Sequence, residues 1–201
     1  MKKVLFARTS CIILSAGSSA RMGTHKALLK FDSERTFLQK ITEIYSKAGI
    51  EQVMVVVNSE LLKLIKESNL TLAKKVLLVI NDKPELGRFY SLQTGVKALK
   101  PGNYCFFQNI DNPFTAETLL HDLIIHKDEA DVIIPAFLER PGHPALISPL
   151  VAAEIINAKD PDLRIDLFLK RFNVKIVETS DRNILVNINS REAYQRSRFK
   201  I

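Results

Sequence analysis

The sequence predicts an α/β fold, a mostly parallel sheet covered by helices on both faces, three layers in all. Three observations carry that expectation. Strand-like and helix-like segments alternate along the chain, as they do where crossover helices join parallel strands. Most strand-like segments are apolar throughout rather than at every second residue, so both of their faces are covered. The first of them also runs straight into a loop of small residues, Gly17-Ser18-Ser19-Ala20, and in such sheets ligands sit at the carboxyl ends of the strands.

Taken in order, residues 11–15 form the first strand. Residues 37–48 place Leu38, Ile41, Ile44 and Tyr45 at helical spacing and stop at Gly49, a natural helix end. Residues 52–57 are a continuous apolar strand, 60–67 a short helix and 76–80 another strand. A helix over 90–99 ends before Pro101-Gly102, and 104–110 is a strand followed by a helix over 115–126. Residues 132–135 are a strand and 145–147 are extended. Helices cover 151–158 and 165–171, with 174–177 extended, 184–186 strand-like and 192–198 a closing helix. The chain reads as one domain over 1–201, in which residues 1–9 are an N-terminal extension.

At 201 residues the chain is long enough for a full core. A hydrophobic share of 46% with 25% charged residues is that of a soluble globular protein. No apolar run approaches the length of a membrane span, and Arg8 interrupts the apolar start after Met1-Lys2-Lys3. A cytoplasmic protein with no membrane partner is expected. Cys11 and Cys105 both fall in strands, so they are expected to be buried and reduced, which agrees with that compartment.

A net charge of +7 calls for acidic partners. A triphosphate and a phosphorylated acceptor satisfy it. No interleaving of basic and aromatic residues points to nucleic acid. The basic tail Arg191, Arg196, Arg198 and Lys200 reads as a solvated helix end.

The loop after the first strand is the most specific feature. Gly17 and Gly23 permit backbone angles closed to other residues and close approach to a ligand. The small Ser18, Ser19 and Ala20 let consecutive N–H groups face an anion. Arg21 adds a planar charged fork and Lys26 a mobile point charge. The spacing Gly-x5-Gly-x2-Lys is neither the Walker pattern nor the dinucleotide fingerprint. Glycine and serine alone at such a place would make an ordinary polar turn.

The full run, Leu14-Ser15-Ala16-Gly17-Ser18-Ser19-Ala20-Arg21-Met22-Gly23-Thr24-His25-Lys26, resembles the signature Leu-Ala-Ala-Gly-x-Ser-x-Arg-Met-Gly-x-x-Lys of the molybdenum cofactor nucleotidyltransferases. Leu14, Ala16, Gly17, Ser19, Arg21, Met22, Gly23 and Lys26 match it, and Ser15 replaces an Ala. The resemblance spans about residues 10–195. It implies a Rossmann-like nucleotidyltransferase fold of the glycosyltransferase-A type. It also implies that Leu14, Ala16, Gly17, Ser18, Ser19, Ala20, Arg21, Gly23 and Lys26 bind a nucleotide, with Arg21 and Lys26 catalytic.

Asp111 ends a buried strand in Asn109-Ile110-Asp111-Asn112-Pro113. A carboxylate facing a triphosphate suits Mg²⁺, whereas an Asp ahead of a Pro also suits a turn or a helix cap. The family's Asp-x-Pro implies the metal and catalytic role for Asp111, with Mg²⁺ as cofactor and Mn²⁺ as its alternative. Gly87-Arg88-Phe89-Tyr90-Ser91 resembles a family segment near the base, which with Asn81 assigns Asn81, Gly87 and Ser91 to the nucleotide. Gly142-His143-Pro144 resembles a Gly-His-Pro of the cytidylyltransferases that faces the pterin, so His143 is expected at the acceptor.

Alternation along a strand would put Asn187 and Asn189 on one face. There they bind acceptor or phosphate, or only make turn hydrogen bonds. The guanylyltransferases carry Asn-x-Asn-Thr at this place and many cytidylyltransferases Asp-x-Asp-Thr, so the chain mixes branch features. The family's following Pro is Arg191 here, and the glycines of its Gly-Asp-x-Gly-Ala-Arg segment are missing around Asp162-Leu163-Arg164.

The expected activity is Mg²⁺-dependent transfer of an NMP from an NTP to the phosphate of molybdopterin, releasing pyrophosphate. CTP is favoured because Ala16 stands where the guanylyltransferase branch has Gly. Three alternatives remain: a guanylyltransferase, a transferase acting on a sugar or polyol phosphate, and a non-catalytic cofactor-delivery module for a molybdoenzyme.

Overall fold

A computed structural model describes residues 5–17, 22–160 and 162–198. Strand β1 (Thr9–Leu14) is followed by a short 3-10 turn (Lys26–Leu28), helix α1 (Phe37–Ala48), β2 (Gln52–Val57), α2 (Ser59–Glu67) and β3 (Val76–Ile80). Next come α3 (Gly87–Lys97), β4 (Tyr104–Asn109), α4 (Glu117–Ile124), β5 (Val132–Phe137), β6 (Arg140–Pro141) and β7 (Ala145–Ile147). The chain closes with α5 (Pro149–Asn157), α6 (Ile165–Leu169), β8 (Val174–Glu178) and α7 (Arg191–Arg198).

These strands form one eight-stranded mixed sheet in the order β3-β2-β1-β4-β7-β5-β6, with β8 beside β5. β3, β2, β1 and β4 run parallel to one another. β7 is antiparallel to both β4 and β5, and β8 is parallel to β5. The expected alternation thus holds in the first half, and the short β6 and β7 turn the second half into a mixed sheet.

All six residues of β1 are buried. Cys11 and Ile13 face the core shared with α1, α2 and α4, whereas Ile12 and Leu14 face the core under α3, α5 and α6. Both sides of the sheet are therefore covered, which is why the strand carries no alternation. The cysteines are buried and free on opposite faces, and burial pushes both thiols up from their ordinary value. Phe6, in the stretch read as an extension, is buried in the first core.

Local chemistry fixes the element ends. Thr36 and Gln39 form a reciprocal capping box at α1, which ends on Gly49 at φ 93°. Asn58 caps α2 by accepting from the Leu61 N–H, and its amide donates to the Ala16 carbonyl at 3.1 Å. One side chain therefore starts a helix and holds the exit of β1. Segment 184–186 is not a strand. Residues Arg182–Leu185 form a 3-10 turn whose start is capped by Asp181. The Ile184 carbonyl accepts from Asn112 Nδ2 and from the His143 N–H. Its backbone bonds thus go to the site loops and not to a neighbouring strand.

Candidate functional site

The carboxyl ends of β1 and β4 lie side by side, and the loops leaving them meet. Buried Gln108 near the end of β4 organises the second loop. Its Oε1 accepts from Tyr45 Oη at 2.6 Å and from Thr115 Oγ1 at 2.8 Å, while its Nε2 donates to the Asn112 carbonyl. Asn112 in turn donates to the Asn183 and Ile184 carbonyls. These bonds leave Asp111 at the bend with its side chain turned to the crevice.

Lys26, at the head of the 3-10 turn, crosses to meet it. Its Nζ lies 3.3 Å from Asp111 Oδ2 and donates to Asn189 Oδ1 at 2.6 Å. Both side chains of the pair are mostly covered, at 15% and 18% exposure, so the charges attract in a medium less polar than water. The other carboxylate oxygen, Asp111 Oδ1, is buried and has no hydrogen-bond partner among the described residues. An uncompensated buried oxygen is costly. A hard divalent cation is its natural complement, because Mg²⁺ takes one or two carboxylates and completes its shell with water and phosphate oxygens.

Asp111, Asn187 and Asn189 line a cavity of about 410 Å³ together with Arg88, Asn109 and His143. Buried Ile188 anchors the asparagine pair, and its N–H donates to the Asp111 carbonyl at 2.8 Å. The expectation that the two amides share a face holds, although in an extended segment after a 3-10 turn. His143 Nε2 faces Asn109 Nδ2 at 3.3 Å. His143 Nδ1 is buried and has no hydrogen-bond partner among the described residues. Burial holds His143 below its ordinary pKa; nearby Asp111 opposes that shift and Arg88 adds to it.

A second cavity, of about 640 Å³, shares Arg88, Asn109 and His143 with the first. Its walls are largely apolar, with Phe107, Ile134 and Phe172 among them. Arg164 and Asp166 stand at its rim and pair at 2.8 Å. The stretch without the family's glycines therefore leads into the wall of this cavity.

The other expected residues fall in different places. Leu14 and Ala16 are buried at the exit of β1. Gly23 takes φ +66°, as the loop reading required. Gly17 does not adopt a positive φ; a β-carbon there would meet nothing within 4 Å. Ser18, Ser19, Ala20 and Arg21 lie outside the described residues. Asn81, Gly87 and Ser91 form a cluster of their own after β3. Asn81 Nδ2 donates to Ser91 Oγ and Ser91 Oγ to the Gly87 carbonyl, both at 3.0 Å. Their side chains are thus already engaged, and it is neighbouring Arg88 that reaches the two cavities. Arg88 and Asn109 went unassigned in the sequence, although each sits inside a quoted motif. Arg191 is not simply solvated. Its Nε donates to the Met22 carbonyl at 3.2 Å.

Residues 11–173 match the family described as the MobA-like NTP transferase domain. The chain belongs to that family. Members of the MobA-like family are nucleotidyltransferases, and so is this enzyme. A Clostridium perfringens protein named a probable molybdenum cofactor guanylyltransferase is 27% identical over 154 residues, 76% of this chain and 69% of that one. Among solved structures, Rv0371c of Mycobacterium tuberculosis superposes with a TM-score of 0.78 at 20% identity, covering 94% of this chain and 96% of that one. A structure of Rv0371c in complex with manganese gives 0.76 at 17% identity, over 96% and 99% of the two chains. A nucleotidyl transferase of Methanothermobacter gives 0.76 at 23% identity, over 96% of each. At these identities the structures establish the shared fold. Among the described residues no helix is long and apolar enough to cross a membrane.

Proposed function

We propose that the enzyme transfers an NMP from an NTP, with CTP favoured, to the terminal phosphate of molybdopterin and releases pyrophosphate. The observation that carries this reading is the Lys26–Asp111 pair with its unpartnered carboxylate oxygen, beside a cavity that shares Arg88, Asn109 and His143 with a second, apolar one. Asp111 would hold Mg²⁺ or Mn²⁺; the described residues contain no group of three or more acidic, His or Cys ligands, which suits an ion that takes most of its shell from phosphates and water. When bound, that ion neutralises phosphate charge.

The chain's own residues do the positioning. Lys26 exchanges its Asp111 contact for the α-phosphoryl oxygens and meets the charge that grows there. Asn189 holds the lysine ammonium from the far side. Gly17 opens space for the triphosphate, with Ser18, Ser19, Ala20 and Arg21 assigned to it by the family signature. Arg88, shared by both cavities, draws the acceptor phosphate toward the α-phosphorus, in line with the departing pyrophosphate. His143, which burial favours as the neutral ring, and Asn187 contact the acceptor. The apolar second cavity takes the acceptor's body. A phosphate monoester needs no general base, and none is assigned.

A guanylyltransferase is the second reading, favoured by the Clostridium relative and by the asparagine pair. Pyrophosphate release is measured with each NTP, Mg²⁺ or Mn²⁺, and molybdopterin or a polyol phosphate as acceptor. CTP with molybdopterin is expected to give turnover, reduced 100-fold or more by Asp111→Asn. GTP outcompeting CTP would sink the base assignment. Turnover with the polyol phosphate alone would sink the acceptor. Nucleotide binding without turnover would leave the delivery module.

A further inference from the structure

We infer that Arg191 is a positioning residue of the nucleotide site, the anchor by which the C-terminal segment holds the limb that leads from the phosphate loop to Lys26. The inference rests on the nucleotidyl-transfer reading above.

Four residues place the segment around Arg191 across the site. The Ile188 N–H donates to the Asp111 carbonyl at 2.8 Å. Asn189 Oδ1 accepts from Lys26 Nζ at 2.6 Å. Arg191 Nε donates to the Met22 carbonyl at 3.2 Å. Tyr194 Oη donates to the Lys30 carbonyl at 2.8 Å, and its ring meets Phe37 edge-on with centroids 5.9 Å apart. The metal-side loop, the lysine and both ends of the 22–30 stretch are thus tied to one short piece of chain.

Arg191 makes the contact that a different residue could not make. Its Nη2 lies 2.6 Å from where a β-carbon on Gly23 would stand. The Nη2 end of the guanidinium therefore stands against the glycine while Nε donates to the preceding carbonyl. Gly23 sits at φ +66°, a conformation that a bare glycine finds easily and leaves easily. A guanidinium set against it and bonded to the Met22 carbonyl restricts that freedom beside the loop that the family signature assigns to phosphate. The family pattern has a Pro at this position, which has no side-chain donor. This chain has an arginine instead.

The test compares Arg191→Ala, Arg191→Lys and Tyr194→Phe with the unaltered protein. The readouts are calorimetric titration with CTP and with GTP in Mg²⁺, without acceptor, and amide hydrogen exchange. Arg191→Ala is expected to weaken NTP binding roughly tenfold. It should also speed exchange over residues 22–26 and leave the melting temperature in place. Arg191→Lys is expected to recover only part of the affinity. Tyr194→Phe, which frees the far end of the limb at Lys30, should speed exchange near residue 30 and cost NTP affinity less than Arg191→Ala does. In turnover the loss should fall on the KM for NTP and not on that for the acceptor. Equal affinity in Arg191→Ala and the unaltered protein would overturn the inference. So would full rescue by lysine, which would reduce the role to bare charge. An unaltered protein that binds no NTP would instead defeat the nucleotidyl-transfer reading on which the role depends.

Discussion

His143 shows how one residue's surroundings set its chemistry. Its Nε2 is taken by Asn109, and burial favours the neutral ring. A histidine whose folded pKa is depressed binds fewer protons folded than unfolded. Its contribution to stability is therefore complete above the unfolded value of about 6.5 and declines as pH falls through that value toward the lower folded one. Unfolding measured by denaturant between pH 8 and 5 should show stability falling below about pH 6.5, with a shallower fall in His143→Gln. An equal slope in the two proteins would remove the argument. The residue itself was legible in Gly142-His143-Pro144. Its partner Asn109 was not, because pairing across 34 positions depends on how β4 and β7 are brought together.

At the scale of elements, α3 packs closely on the sheet. A β-carbon added to Gly95 would stand 2.7 Å from Ile12 Cγ2 and 3.0 Å from Val56 Cγ2. Both neighbours are fully buried branched side chains with nowhere to turn. The glycine lets the helix lie directly on β1 and β2. Gly95→Ala should therefore destabilise the protein by about 1–3 kcal/mol despite the better helix propensity of alanine. A midpoint shift in urea with unchanged slope would register it; a neutral or stabilised variant would show that the helix can lift away at no cost. Most elements were legible because their apolar runs and end signals agree: Gly49 does terminate α1, and the runs in β1, β2 and β4 are strands. The 184–186 stretch misled because a short apolar run looks the same in a strand and in a 3-10 turn. What decided it were two distant loops, whose Asn112 amide and His143 main-chain N–H both donate to the Ile184 carbonyl.

For the whole molecule, the two cavities meet at Arg88, Asn109 and His143, while Lys26 meets Asp111 and Asn189 from distant parts of the chain. A nucleotide that binds only this assembled arrangement stabilises the entire fold by mass action, about 2.7 kcal/mol at a hundredfold excess over Kd. For a chain of 201 residues that amounts to a rise in Tm of roughly 5–11 °C. Thermal unfolding with and without CTP and Mg²⁺ measures it; no rise at saturation would mean that the nucleotide also binds unfolded chains or does not bind. The signature run and the Asp-x-Pro pointed to Lys26 and Asp111 from sequence, because both motifs are local. Arg191, Arg88 and the apolar second cavity were hidden, since each acquires its meaning only from segments brought together by the sheet.

The hydrogen bond from Lys26 to Asn189 joins residues 163 positions apart. Synthesis proceeds from the amino terminus at about 5–20 residues per second, so the ribosome delivers the loop residues long before the asparagine. A nascent chain complete through α6 already contains β1, β2, β3 and β4, yet its Asp111 has no Ile188 to hold its backbone and its loop has no Arg191. The candidate crevice is closed only once residues 187–191 have docked, and a chain that stops before them would contain most of its sheet while lacking the wall that meets Asp111 and Lys26.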